Sequence, residues 1–322
     1  VKRNRNGHRA VERIGNVPRI VAFLLATGCM LAAGCARNLP AEQVEKVIGQ
    51  QGLMPGQFNK PRAIAIDRDG SLAVVDFRAM VQWLTPDGQP ITQWQTPTHQ
   101  FGRPSGLGID RLGRLLVADS HYHRVLVYSR QGELLETFGG DEGVGPLVGR
   151  FGYIADAESD SHGNLYIAES QNAERITKIS PAGEILAEWG SLGTRPGEFQ
   201  RIRALLIDPE DQIYVADACN HRIQVFSPDG TFLRSFGKPG TQPGEMMYPY
   251  DIARSPDGTL YVCEYGNSRV QRFTPEGDSL GIWGKPGRSI GELWNPWALG
   301  VDSQGRLFVV DSNNHRLQRI RW

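Results

Sequence analysis

From about residue 44 to the end of the chain, short apolar runs alternate with polar positions at a period of two, and turns rich in Pro, Gly and Asp interrupt them. This pattern predicts antiparallel strands joined by tight connections. The runs also recur. Segments 63–83, 106–128, 156–179, 204–226, 251–273 and 298–320 align, each with an alternating stretch, a turn such as Asp67-Arg-Asp-Gly70 or Ser255-Pro-Asp-Gly258, a second stretch and an acid. The acids are Asp76, Asp119, Glu169, Asp217, Glu264 and Asp311, spaced by 43, 50, 48, 47 and 47 residues. A loop follows, then usually an Arg opening a third stretch (Arg124, Arg222, Arg269, Arg316, and Arg175 one place late), and a fourth stretch ends in an aromatic residue and usually Gly, as in Phe138-Gly and Trp283-Gly.

Four strands at a period near 47 make one propeller blade, so the expected fold is all-β, a six-bladed β-propeller with four antiparallel strands per blade. The last copy stops after its third strand, and the missing strand matches residues 44–48, so the N-terminal strand is expected to complete the last blade and close the ring. Closure removes exposed sheet edges.

Three runs, Val117-Ala-Asp-Ser-His-Tyr-His-Arg-Val-Leu-Val-Tyr128, Val215-Ala-Asp-Ala-Cys-Asn-His-Arg-Ile-Gln-Val-Phe226 and Val310-Asp-Ser-Asn-Asn-His-Arg-Leu-Gln-Arg319, resemble NHL repeats, as do the linkers Pro55-Gly-Gln-Phe58, Pro196-Gly-Glu-Phe199 and Pro243-Gly-Glu-Met246. The resemblance covers residues 44–322. It departs in the first copy, where Val81 stands in the Arg column, and in the third, where Gly149-Arg-Phe-Gly-Tyr153 replaces the linker.

The first 35 residues are different. Six basic residues and one acid are followed by an uncharged run from Ile20 to Ala33 and then Gly34-Cys35, the layout of a secretion signal. Leu31-Ala-Ala-Gly-Cys35 resembles the lipobox of bacterial lipoproteins, which implies lipidation at Cys35, with Cys29 as a competing site and an ordinary cleaved signal or uncleaved anchor as alternatives. Each reading places the body outside the cytoplasm. The lipoprotein reading implies a cell-envelope protein, and Ala36 in place of Asp points to the outer rather than the inner membrane. The expected organisation is a signal peptide over 1–35, a linker over 36–43 and the propeller over 44–322.

Removing that segment leaves 29 basic against 34 acidic residues, a poor match for nucleic acid, so RNA binding of the kind known in animal NHL domains is not expected. Only Cys219 and Cys263 remain in the body, which rules out a disulfide-stapled scaffold but leaves open whether the two meet. The chain shows no Gly-x-Ser-x-Gly elbow, phosphate loop, zinc motif or dinucleotide fingerprint, and no cofactor or metal is expected.

An acid and an Arg in nearly every copy solve a problem that every blade has, so Asp76, Asp119, Glu169, Asp217, Glu264 and Asp311 and Arg124, Arg175, Arg222, Arg269 and Arg316 read as structural. His123, His221 and His315 read as turn residues on one rim. Ligand sites instead fall where blades differ within one column. Five places before the first turn that column holds Arg62, Ser105, Ala155, Arg203, Tyr250 and Trp297, with the register of the third copy open to a two-residue shift that would bring in Tyr153. In amidating lyases, enzymes that resemble NHL propellers, this position carries metal-binding His, and gluconolactonase-type propellers use Asn, Asp or Glu near it. Here there are two guanidinium groups and two aromatic rings, suited to carboxylate or phosphate and to sugar, peptide or cation. Arg62, Ser105, Arg203, Tyr250 and Trp297 are therefore the candidate ligand-binding residues, for a protein, peptide or glycan, on a monomeric, non-catalytic envelope scaffold. Two alternatives stay open: that the rings simply fill the channel while the arginines pair with neighbouring acids, and that the chain is a metal-dependent lyase or lactonase.

Overall fold

The computed structural model describes residues 43–100, 102–140, 150–171 and 173–322; the signal-like segment, Cys29 and Cys35 lie outside them. The described residues form six four-stranded antiparallel sheets. In the first complete blade, β2 (Pro61–Ile66), β3 (Leu72–Asp76), β4 (Met80–Leu84) and β5 (Pro90–Gln95) follow one another in chain order. The next blades open on β6 (Gly106–Ile109), β10 (Tyr153–Ser159), β14 (Ile202–Ile207) and β18 (Pro249–Arg254). The last contains β22 (Ala298–Val301), β23 (Arg306–Asp311) and β24 (Arg316–Arg321). Its fourth strand is β1 (Val44–Ile48), paired antiparallel to β24 with Ile48 opposite Leu317. The first and last strands of the body thus share a sheet, and the ring closes as the repeat count requires.

Burial follows position in the blade. The second strand, such as β3, is buried throughout, whereas the outermost strand β5 alternates between exposed and half-buried. This explains why the second stretches read as unbroken apolar runs: both faces pack against neighbouring blades. The core is accordingly a set of inter-blade layers. One joins Phe308, Val310 and Leu317 of the last blade to Ile64, Leu72 and Leu84 of the first, with Ile48 and Phe58 between them. The turns between first and second strands need a left-handed residue, as at Gly70 (φ +83°), whose N–H donates to the Asp67 carbonyl at 2.8 Å.

The recurring acids are fully buried at the ends of the second strands. Arg222 Nε donates to Asp217 at 2.8 Å while its Nη2 donates to the Arg195 and Glu198 carbonyls of the preceding linker. Arg269 and Arg316 repeat the arrangement on Glu264 and Asp311, and Arg175, one place late, still reaches Glu169 at 2.6 Å. Linker N–H groups donate to the same carboxylates, from Asn59, Gly152, Gln200, Met247 and Trp294. In the first copy, where Val81 occupies the Arg column, Arg78 supplies the guanidinium to Asp76 at 2.7 Å. Acid and Arg therefore lash each blade to its entry loop.

Candidate functional site

The column from Arg62 to Trp297 lies at the entrance of the first strands, and the ladders show why it faces the channel. Pairing of β2 with β3 skips Arg62, that of β18 with its neighbour skips Tyr250, and that of β10 skips Ala155. Arg62, Tyr250 and Ala155 thus sit on β-bulges, and Arg203 falls in the register shift between Ile202 and Leu205; such a bulge re-aims a side chain out of the sheet. The matching bulge at Ala155 also fixes the register of the third blade without a shift.

Side chains of the column line a cavity of about 230 Å³ along the channel. Arg62 and Arg203, on opposite blades, both reach Trp297, with guanidinium carbons 4.7 and 5.2 Å from its ring centre, and Arg203 also lies 4.6 Å over Tyr250. Tyr250 meets Trp297 edge-on at 5.3 Å and stacks on Tyr265 at 4.4 Å. The rings thus form one wall that both cations approach within cation–π distance, a favourable arrangement for guanidinium. The arginines are only 9% and 7% exposed, yet among the described residues neither forms a salt bridge, and the Nε of each, with Trp297 Nε1, is buried without an acceptor. The expectation that they would be neutralised by neighbouring acids does not match this geometry.

Burial pushes Arg62 down to about 10, against the support of the Tyr153 hydroxyl beside it and with the Arg203 charge adding to the fall. Both observations describe guanidinium groups that, among the described residues, are paired directly with no carboxylate. Ser105 lines the cavity too, but its hydroxyl contacts Ser120 Oγ at 2.6 Å and donates to the Ala155 carbonyl at 2.8 Å, tying two blades together.

Sequence reading missed three carboxylates deeper in the channel: Asp156, Glu158 and Asp251. They lie one and three places beyond the column, where the other blades carry Ala63, Gly106, Ala204 and Ala298, then Ala65, Gly108, Leu206, Ala253 and Gly300. Comparing those two further columns would have exposed them. Asp156 accepts N–H groups from Ala157 and, across the blade boundary, from Leu205 at 2.9 Å; Asp251 does the same with Ile252 and Leu299 at 2.8 Å. Burial raises Asp156 to about 7 and Asp251 well above the carboxylate range; it does the same to Glu158, helped there by the charges of Asp156 and Asp251. Among the described residues no three His, Cys, Asp or Glu side chains are arranged to hold a metal ion.

The histidines behave as turn residues. His123, His221 and His315 each end a one-turn 3-10 helix in the left-handed region, and His221 Nδ1 and His315 Nδ1 accept the N–H of Tyr248 and Lys60 on the next blade at 3.0 and 3.1 Å. Cys219 and Cys263 are free thiols, the second fully buried.

Comparison with known proteins agrees with this architecture. The NHL repeat model matches residues 101–128, 199–226, 246–273 and 293–320, leaving out the two copies that depart from the pattern. NHL repeat-containing protein 3 of mouse and of human are each 31% identical over 107 residues, which is 32% of this chain and 31% of either relative, so the match spans less than a third of their length. Among solved structures, a streptogramin B lyase superposes with a TM-score of 0.59 at 14% identity, covering 85% of this chain and 96% of that one. A protein of unknown function from Bacteroides thetaiotaomicron superposes at 0.61 with 16% identity over 88% and 74%, and an inactive virginiamycin B lyase from Staphylococcus aureus with quinupristin at 0.56 with 14% identity over 89% and 98%. At such identities the likeness concerns the fold. Strand order, ring closure and the matched segments together make this chain a six-bladed β-propeller that carries NHL repeats.

Proposed function

We propose that the chain is a binding protein of the bacterial cell envelope, held there by a lipid on Cys35, and that its ligand presents an anionic group to the mouth of the channel. One observation carries the mouth: Arg62 and Arg203 are buried, stacked on Trp297 and Tyr250, and free of any salt bridge among the described residues. An oxyanion there gains charge-assisted hydrogen bonds from groups whose desolvation folding has already met, while the rings offer a face to the sugar or peptide carrying it. The lyase alternative draws on the fold likeness to streptogramin B lyase, and among the described residues the cavity lining supplies carboxylates but no histidine.

The test is an array of acidic glycans and peptides probed with the protein and with Arg203→Ala/Trp297→Ala. The double variant is expected to lose the bound subset at least a hundredfold while its melting temperature stays within a few degrees. Undiminished binding by the double variant would remove the mouth from consideration.

A further inference from the structure

The channel holds two sets of charge that do not neutralise each other directly. Arg62 and Arg203 form its collar, and Asp156, Asp251 and Glu158 lie below, yet no ion pair joins the sets among the described residues. They are nevertheless near enough to feel one another, since the Arg203 charge draws both Asp156 and Asp251 downward. Each aspartate is occupied by two backbone N–H groups, whereas among the described residues no cationic side chain pairs with Glu158. Blade two leaves the acids uncovered: a Cβ on Gly106 would stand 2.2 Å from Asp156 Oδ1, and one on Gly108 would stand 3.0 Å from Glu158 Oε2. Glycine at both positions gives the carboxylates their room.

We infer that the site takes a small zwitterion, an amino carboxylate whose carboxylate meets Arg62 and Arg203 and whose ammonium group reaches Glu158. This rests on the mouth being the binding site and goes further by naming the ligand's second charge. A plain anion would satisfy the collar and leave Glu158 unpaired, and a plain cation would do the reverse. An ammonium beside Glu158 supplies the opposite charge that the buried carboxyl lacks and lets it ionise as the ligand binds, whereas a phosphate dianion brings no such group. The cavity of about 230 Å³ suits a molecule of amino-acid size or the end of a larger chain.

The experiment is calorimetric titration of the full chain with 4-aminobutyrate and 6-aminohexanoate, each against butyrate and hexanoate. The amino compounds are expected to bind at least tenfold tighter than the acids of equal length. Glu158→Gln should bring that ratio to within twofold, and Arg203→Ala should weaken acids and amino acids alike. Equal affinity for butyrate and 4-aminobutyrate, or a ratio that survives Glu158→Gln, overturns the zwitterion while leaving an anion-binding mouth. Failure of all four probes to bind overturns it as well, and the glycan and peptide array then judges the mouth independently.

Discussion

Asp119 is the exception among the recurring acids. Its Oδ2 receives Arg124 Nε at 2.8 Å, but its Oδ1 is buried without a donor, whereas Asp217 takes a linker N–H, Asn220, Arg222 and Gln224. Burial outweighs the one ion pair and raises Asp119 from 3.8 to about 6. The folded protein therefore keeps a proton that the unfolded chain releases, so this group's contribution to stability is intact below 3.8 and is lost as pH rises through 6. By that linkage ionised Asp119 costs at most about 3 kcal/mol at pH 8. Asp119→Asn is expected to flatten the fall in stability between pH 4.5 and 8, read from urea melts at both, and to be no less stable than the parent at pH 8. A variant destabilised at pH 8 would show that the Arg124 ion pair outweighs burial.

At the level of the strand, β1 tests whether ring closure matters energetically. Ile48, 2% exposed, packs in the layer between the last and first blades, and Arg319 on β24 reaches both Glu45 on β1 and Asp87 on the first blade. Ile48→Ala should cost about 2–5 kcal/mol in a urea melt, the range for a buried aliphatic truncation. A loss below about 0.5 kcal/mol would mean that β1 is an appendage. This closure was legible because repetition supplied six readings of one pattern, and the stretch at 44–48 matched the strand that the last copy lacked. The column at Arg62 was legible for the same reason. Repetition also hid what departs from it: Arg78 does the work of an absent column residue from three positions away, and Asp156, Glu158 and Asp251 stand in columns where the other blades carry small or apolar side chains. Their meaning depends on which groups converge across the channel, a relation between blades that no single repeat contains.

For the whole molecule, the proposed function assigns attachment and recognition to different parts of the chain. Among the described residues no helix is long and apolar enough to cross a membrane, and the body's excess of acids over bases works against adsorption to anionic lipid. In the proposed reading an acyl anchor supplies the membrane affinity, at about 0.8 kcal/mol for each buried methylene. The sequence offers Cys35 for that role and Cys29 as its rival. Labelling cells with an alkyne-bearing palmitate analogue distinguishes them: the parent and Cys29→Ser should carry the label, and Cys35→Ser should lose it and leave the membrane fraction. Label persisting on Cys35→Ser but lost from Cys29→Ser would move the anchor to Cys29, and an unlabelled parent would refute it; the proposed mouth, built entirely from residues beyond 61, is expected to be unaffected in either case.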